Sequence, residues 1–109
     1  MSRKRPDEVK GSPEFASFYS RPDQTSYLCS IIKDGLDVLR ENMLAGDKVE
    51  KKKWPKSYER EYGITNLFRL DLDRNYRLAY TIVAEGMRKI VCILEVMDHK
   101  TYNERFGYG

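Results

Sequence analysis

The residues that most often bind metals, form cross-links or act as nucleophiles are scarce in this chain of 109 residues. It has one histidine, His99, two cysteines, Cys29 and Cys92, and one tryptophan, Trp54. A single histidine without a close-spaced cysteine pair leaves no metal-ligand motif. Cys29 and Cys92 lie in apolar stretches at helix and strand spacing, which predicts two buried thiols rather than a disulfide. There is no glycine-rich phosphate loop of the Walker kind and no nucleophile motif. No apolar run is long enough to span a bilayer, and no signal peptide is evident. These absences predict a cytoplasmic protein with no membrane partner, no metal and no cofactor. The excess of positive charge is also small, +3 from 20 basic and 17 acidic residues, and does not by itself demand a polyanion.

The length fits one domain with a modest core. Met1 to Lys10 is charged and poor in large apolar side chains, so residues 1–12 read as a disordered basic tail ahead of a single domain over 13–109. Phe15, Phe18 and Tyr19 predict a short first strand over Glu14–Ser20, between Pro13 and Pro22. Leu28, Ile32, Leu36, Leu39 and Met43 recur at spacings of four, four, three and four, one stripe of an amphipathic helix. Asp23 or Thr25 caps its start in this reading, Gly46 lies just past its end, and Gly35 allows close packing on a sheet. Lys48–Gly63 reads as a basic loop with a helical turn around Ser57–Arg60.

Two segments then alternate with a period of two, Asn66–Leu72 and Asn75–Ile82, joined by a polar turn at Asp73-Arg74-Asn75. Pairing Leu72 with Tyr76 sets Leu70 against Leu78 and Phe68 against Tyr80 on one apolar face. Asp71 then falls opposite Arg77, and Arg69 opposite Ala79, on the other face. Ala84-Glu85-Gly86-Met87 makes a second turn. Lys89–Met97 follows as a third strand, with Ile90, Cys92, Leu94 and Val96 on one face and Val91, Ile93 and Met97 on the other. A strand apolar on both sides is interior and covered on both faces. One helical turn around Asn103–Arg105 closes the chain. The fold class is α+β, a small antiparallel β-sheet with one or two N-terminal helices packed on one face.

Arg69 and Arg77 are anchored cations on a rigid sheet, suited to a phosphate. Asp71 opposite Arg77 is equally an ordinary cross-strand pair contributing about 0.2–1 kcal/mol. His99, at the end of the third strand, is the natural proton-transfer group at neutral pH, or a surface histidine without a task. Lys51, Lys52, Lys53 and Lys56 around Trp54 form either a nucleic-acid surface or a solvated loop. Cleavage of RNA by its own 2′-hydroxyl needs a base, cations on the phosphate and an acid, with no metal and no protein nucleophile. His99, Arg69, Arg77 and the tyrosines can supply these groups. Trp54, Tyr102 and Tyr108 can stack a splayed base or pack as core and edge residues.

The elements Phe68-Arg69-Leu70-Asp71-Leu72, Tyr76-Arg77-Leu78-Ala79-Tyr80 and Val96-Met97-Asp98-His99-Lys100-Thr101-Tyr102, in that order, resemble the RelE/ParE superfamily of small toxins. The resemblance spans roughly Ser20 to Tyr108. It implies a RelE-like fold, ribosome-dependent mRNA endoribonuclease activity, an antitoxin protein and the ribosome with its mRNA as partners, and no cofactor. By the same resemblance Arg77 matches the phosphate-stabilising arginine, Arg69 a basic residue of the preceding strand, His99 the basic residue at the last strand's end, and Tyr102 the downstream tyrosine. Asp71 departs from the pattern, since ribonuclease members often carry a basic residue there, and the helical hairpin is abbreviated. The superfamily also includes gyrase poisons, so the alternative is a non-nuclease binding protein on the same fold, such as a ParE-like gyrase poison or an inactive antitoxin-binding homologue.

Overall fold

The Thr25 hydroxyl accepts from Leu28 N at 3.1 Å and starts the long helix where the apolar stripe begins. In this computed structural model, which describes residues 4–21 and 25–107, the elements run β1 (Glu8–Gly11), α1 (Pro13–Tyr19), α2 (Ser26–Glu41), β2 (Asp47–Lys48) and a 3₁₀ turn (Lys51–Lys53). After these come α3 (Lys56–Tyr62), β3 (Phe68–Asp71), β4 (Tyr76–Glu85), β5 (Arg88–Asp98) and α4 (His99–Arg105). Asp23, the other cap considered, and Tyr108, a candidate stacking aromatic, lie outside the described residues.

One five-stranded sheet carries the fold, in the order β1-β5-β4-β3-β2. The β3–β4 register matches the hairpin expected from the alternation: Leu70 faces Leu78, Phe68 faces Tyr80, Asp71 faces Arg77 and Arg69 faces Ala79. β5 is interior, between β1 and β4, as its double-sided apolar pattern required. Helices α1 and α2 cover one face, where Phe15, Leu28, Ile32 and Leu39 meet Leu78, Tyr80, Val91, Ile93 and Val96. Ile32 and Leu39 are fully buried, each contributing about 1.5–3 kcal/mol. Gly35 does allow the close approach: a Cβ there would lie 2.5 Å from Leu72 Cδ2.

Several expectations are corrected. The sheet is mixed rather than antiparallel, because β1 pairs parallel to β5 through Glu8–Ile90 to Gly11–Ile93. The disordered tail expected over residues 1–12 is thus ordered at Glu8–Gly11, where Val9 supplies a side chain to the first core. Glu14–Ser20 is not a strand: Ser12 caps a helix there, its Oγ accepting from Phe15 N at 3.0 Å, with Pro13 in the first turn. Helices cover both faces. On the second, α3 and α4 pack Tyr58, Tyr102 and Phe106 against Leu67, Ala79, Leu94 and Met97. Gly46 does not terminate α2, which ends at Glu41. It admits close backbone approach, since a Cβ there would meet Arg69 O at 2.6 Å and Tyr80 Oη at 2.8 Å. Cys29 and Cys92 are free thiols but only half-buried.

The strand phase of β5 also changes part-way. Ala79 pairs with Glu95 while Tyr80 pairs with Ile93, so Leu94 is an extra residue opposite the break. This bulge moves Val96 onto the first core with Val91 and Ile93, and puts Met97 with Leu94 on the second. Among the described residues no helix is long and apolar enough to cross a membrane.

Candidate functional site

The β3–β4 turn builds the site. Asp73 Oδ1 accepts from Asn75 N and Tyr76 N, both at 2.8 Å, an Asx turn that fixes the polar residues between the strands. Arg77, on β4, folds its side chain back over this turn. Its Nη1 donates to Asp73 O at 3.0 Å, its Nε lies 3.0 Å from Asp71 Oδ1, and its Nη2 lies 2.9 Å from His99 Nδ1. The Arg77 side chain is only 13% exposed.

Asp98 places the histidine. Its Oδ1 accepts from Thr101 N at 2.7 Å and caps α4, whose first residue is His99. That backbone hydrogen bond is the largest cause holding the Asp98 carboxyl below the usual carboxylate range. His99 N also donates to Asn75 O at 2.6 Å, tying the helix start to the hairpin turn. A guanidinium only donates, so Nδ1 of His99 is the acceptor and the ring proton of the neutral form sits on Nε2. Nε2 lies 3.1 Å from Asn103 Nδ2; two N–H groups do not bond each other, so a hydrogen bond between these side chains requires the amide turned to bring its oxygen to Nε2.

Arg69, two pairs along the hairpin and so on the same face, is held by two carboxylates. Nη2 lies 2.7 Å from Asp47 Oδ2 and Nε 3.2 Å from Asp71 Oδ1. Burial alone would lower the Arg69 pKa, but the bond to Asp47 and the charge of Asp71 outweigh it, and the net shift is upward. One Asp71 oxygen therefore touches the Nε of both arginines. The Arg69 guanidinium carbon sits 5.7 Å from the centre of the Tyr102 ring, a cation–π distance.

The structure thus gathers Arg77, His99, Arg69 and Tyr102 at one end of the sheet, but in unequal positions. His99 is exposed, whereas Tyr102 is 2% exposed and stacked on Phe106 with ring centres 4.2 Å apart. Tyr102 is a core ring that backs Arg69, and it presents no face for a base. The lysine run lies at the far end of α4. Lys53 Nζ donates to Gly107 O at 3.1 Å, Lys52 pairs with Glu50 at 3.5 Å, and Lys51 Nζ is 5.9 Å from the Trp54 ring centre. Trp54 is half-buried, with its Nε1 donating to Val49 O at 2.9 Å, and Lys56 is exposed. A seven-residue helix spans about 10 Å, so α4 sets the separation between His99 and these cations.

Three neighbours of the site were missed. Asn103 was signalled by its spacing of four from His99, and Asp73 by its place two residues ahead of Asn75 in the turn. Tyr27 had no local signal: its hydroxyl donates to Asp73 Oδ2 at 2.5 Å across 46 residues of chain. No protein-family model, curated protein or solved structure matches the chain. Fold and site together define an α+β protein that gathers two arginines and a histidine beside a hairpin turn.

Proposed function

We propose that the chain is a RelE-like toxin of a type II toxin–antitoxin pair, an endoribonuclease that cuts mRNA on the ribosome by attack of the RNA's own 2′-hydroxyl. The observation that carries this reading is the 2.9 Å contact between Arg77 Nη2 and His99 Nδ1, a cation and a proton-transfer group side by side at the sheet's end. When Arg77 Nη2 leaves Nδ1, the imidazole lone pair is free to take the 2′-hydroxyl proton. The same movement turns a guanidinium N–H toward the phosphate, where charge develops. The 2′-oxygen then bonds to phosphorus, the bond to the 5′-oxygen breaks, and that oxygen takes a proton from water. Arg69 is the second cation. The lysines with Trp54 offer further backbone contacts along α4. The partners are the ribosome with its mRNA and an antitoxin protein.

Asp71 favours a second reading, a non-nuclease binding protein on the same fold. Its carboxylate occupies both arginines, and a phosphate must displace it. Expression of the chain in bacteria, with primer extension on mRNA, separates the two. Growth arrest with codon-linked cuts that His99→Ala loses supports the nuclease. Arrest without cuts, with gyrase supercoiling inhibited, supports a gyrase poison, and absence of both effects an inactive homologue. Arg77→Ala is a weaker probe, because Arg77 also braces the turn. Its loss costs about 1–3 kcal/mol of stability, so its melting temperature must be measured alongside.

A further inference from the structure

Of the cations that the sequence singled out, Arg69 and Arg77 are each held by a carboxylate, but an arginine beside them is not. Arg74 stands at the tip of the β3–β4 turn and is exposed. Among the described residues its guanidinium has no ion pair and no hydrogen bond, and only its carbonyl is engaged, 3.4 Å from Arg77 Nη1. Arg69 and Arg77, by contrast, each lie within 3.2 Å of an Asp71 oxygen.

Beside the same turn stands Tyr27. It is 59% exposed, the most exposed aromatic side chain among the buried and exposed hydrophobics of the described residues. One end of it is nevertheless fixed, because its hydroxyl donates to Asp73 Oδ2 at 2.5 Å. Asp73 is itself fixed by the Asn75 and Tyr76 amides, and its carbonyl accepts from Arg77. The ring is thus tethered, through a rigid turn, to the guanidinium that contacts His99. A ring held at its polar tip and more than half exposed can serve as a stacking platform, and it loses little conformational freedom when a flat ligand settles on it. The two other aromatics considered for stacking among the described residues are less available: Trp54 is half-buried and Tyr102 is buried.

We infer that Tyr27 and Arg74 form a nucleotide subsite, in which an unpaired base stacks on the Tyr27 ring and the flanking phosphate pairs with Arg74. The inference rests on the RNA reading above and adds to it the face from which the strand enters, across the hairpin turn toward His99. The ligand class is single-stranded RNA, because a base inside a duplex has no free face to stack.

The test is binding of a fluorescein-labelled ten-nucleotide single-stranded RNA to the full chain carrying His99→Ala, followed by anisotropy from 50 to 200 mM salt. Tyr27→Ala weakens binding about 5- to 150-fold, the range that loss of one base stack implies. Tyr27→Phe keeps the ring and binds within about threefold of the parent. Arg74→Ala lowers the slope of log affinity against log salt by about 0.7, the value for one phosphate contact on a single strand. Arg74→Lys restores that slope, which a purely structural role for the turn would not predict. Both positions are exposed, and because Tyr27→Ala also gives up the bond to Asp73, the control is a melting temperature that stays well above the assay temperature, which excludes unfolding as the cause. Parent-like affinity and salt slope in Tyr27→Ala and Arg74→Ala would overturn the subsite, and codon-linked mRNA cuts by the His99-containing chain would leave the nuclease reading standing. No RNA binding at 50 mM salt together with no cuts would remove both.

Discussion

Asp71 controls how much positive charge the site offers. Its Oδ1 lies 3.0 Å from Arg77 Nε and 3.2 Å from Arg69 Nε, so one carboxylate offsets two guanidinium groups. Asp71 is about half exposed, and such ion pairs contribute only about 0.2–1 kcal/mol each. A neutral amide of the same shape keeps the packing and releases the charge. On the proposed RNA-cleaving function, Asp71→Asn is therefore expected to strengthen single-stranded RNA binding by about fivefold or less, with the melting temperature little changed, as measured by anisotropy and thermal denaturation. Weaker binding in Asp71→Asn would instead make Asp71 a positioning residue for Arg77. The pairing of Asp71 with Arg77 was readable from strand alternation alone. That the same oxygen also reaches Arg69 was not, because it depends on side-chain rotamers along one edge of the pair.

At the scale of elements, capping decided more than periodicity did. α2 and the β3–β4 hairpin were legible because each carries a long, regular pattern. α1 was not: Phe15, Phe18 and Tyr19 fit a short strand as well as a short helix, and the decision falls to Ser12. The Ser12 hydroxyl accepts from Phe15 N and donates to Leu94 O at 2.7 Å, so it starts α1 and docks it on β5 together. Ser12→Ala removes both bonds and is expected to cost about 1–2 kcal/mol, read as a fall of roughly 4–8 °C in melting temperature per kcal/mol, with Thr restoring much of it. α4 follows the same logic. Asp98 three residues before Thr101 begins a helix at His99, four residues ahead of the turn expected from Asn103–Arg105. The bulge at Leu94 escaped strict alternation for a different reason: an inserted residue leaves no mark in an apolar run.

Across the whole molecule, the second core joins the site to the rest of the fold. Tyr58 Oη and Arg105 Nη1 both donate to Glu95 Oε1 at 2.5 Å, linking α3, α4 and β5. Burial, followed by the bond to Glu95, raises the Tyr58 pKa far above its ordinary value, so this hydroxyl stays protonated through any neutral or mildly alkaline range. Acid acts differently. Asp98 is held below its usual pKa chiefly by the Thr101 amide, and Asp73 chiefly by the Tyr27 hydroxyl. A depressed carboxyl stabilises the fold above its unfolded pKa of about 4, and that contribution disappears as pH falls through the lower folded value. The melting temperature is therefore expected to drop as pH goes below about 4, and Asp98→Asn, which keeps a capping oxygen without a charge, is expected to flatten that drop.

What the sequence determined by itself was local and periodic. It set the α2 stripe, the hairpin register that puts Asp71 opposite Arg77, the interior position of β5 and the place of His99 at a strand end. Each of these follows from spacings within a few residues, where side-chain direction is fixed by backbone geometry. The tertiary structure decided what depends on chain segments far apart: the parallel pairing of Glu8–Gly11 with β5, the helices on the second face, the burial of Tyr102, and the meeting of Tyr27 with Asp73. No local pattern encodes these, because the free energy that selects them comes from burying surfaces that are distant in sequence and adjacent only once the sheet has formed.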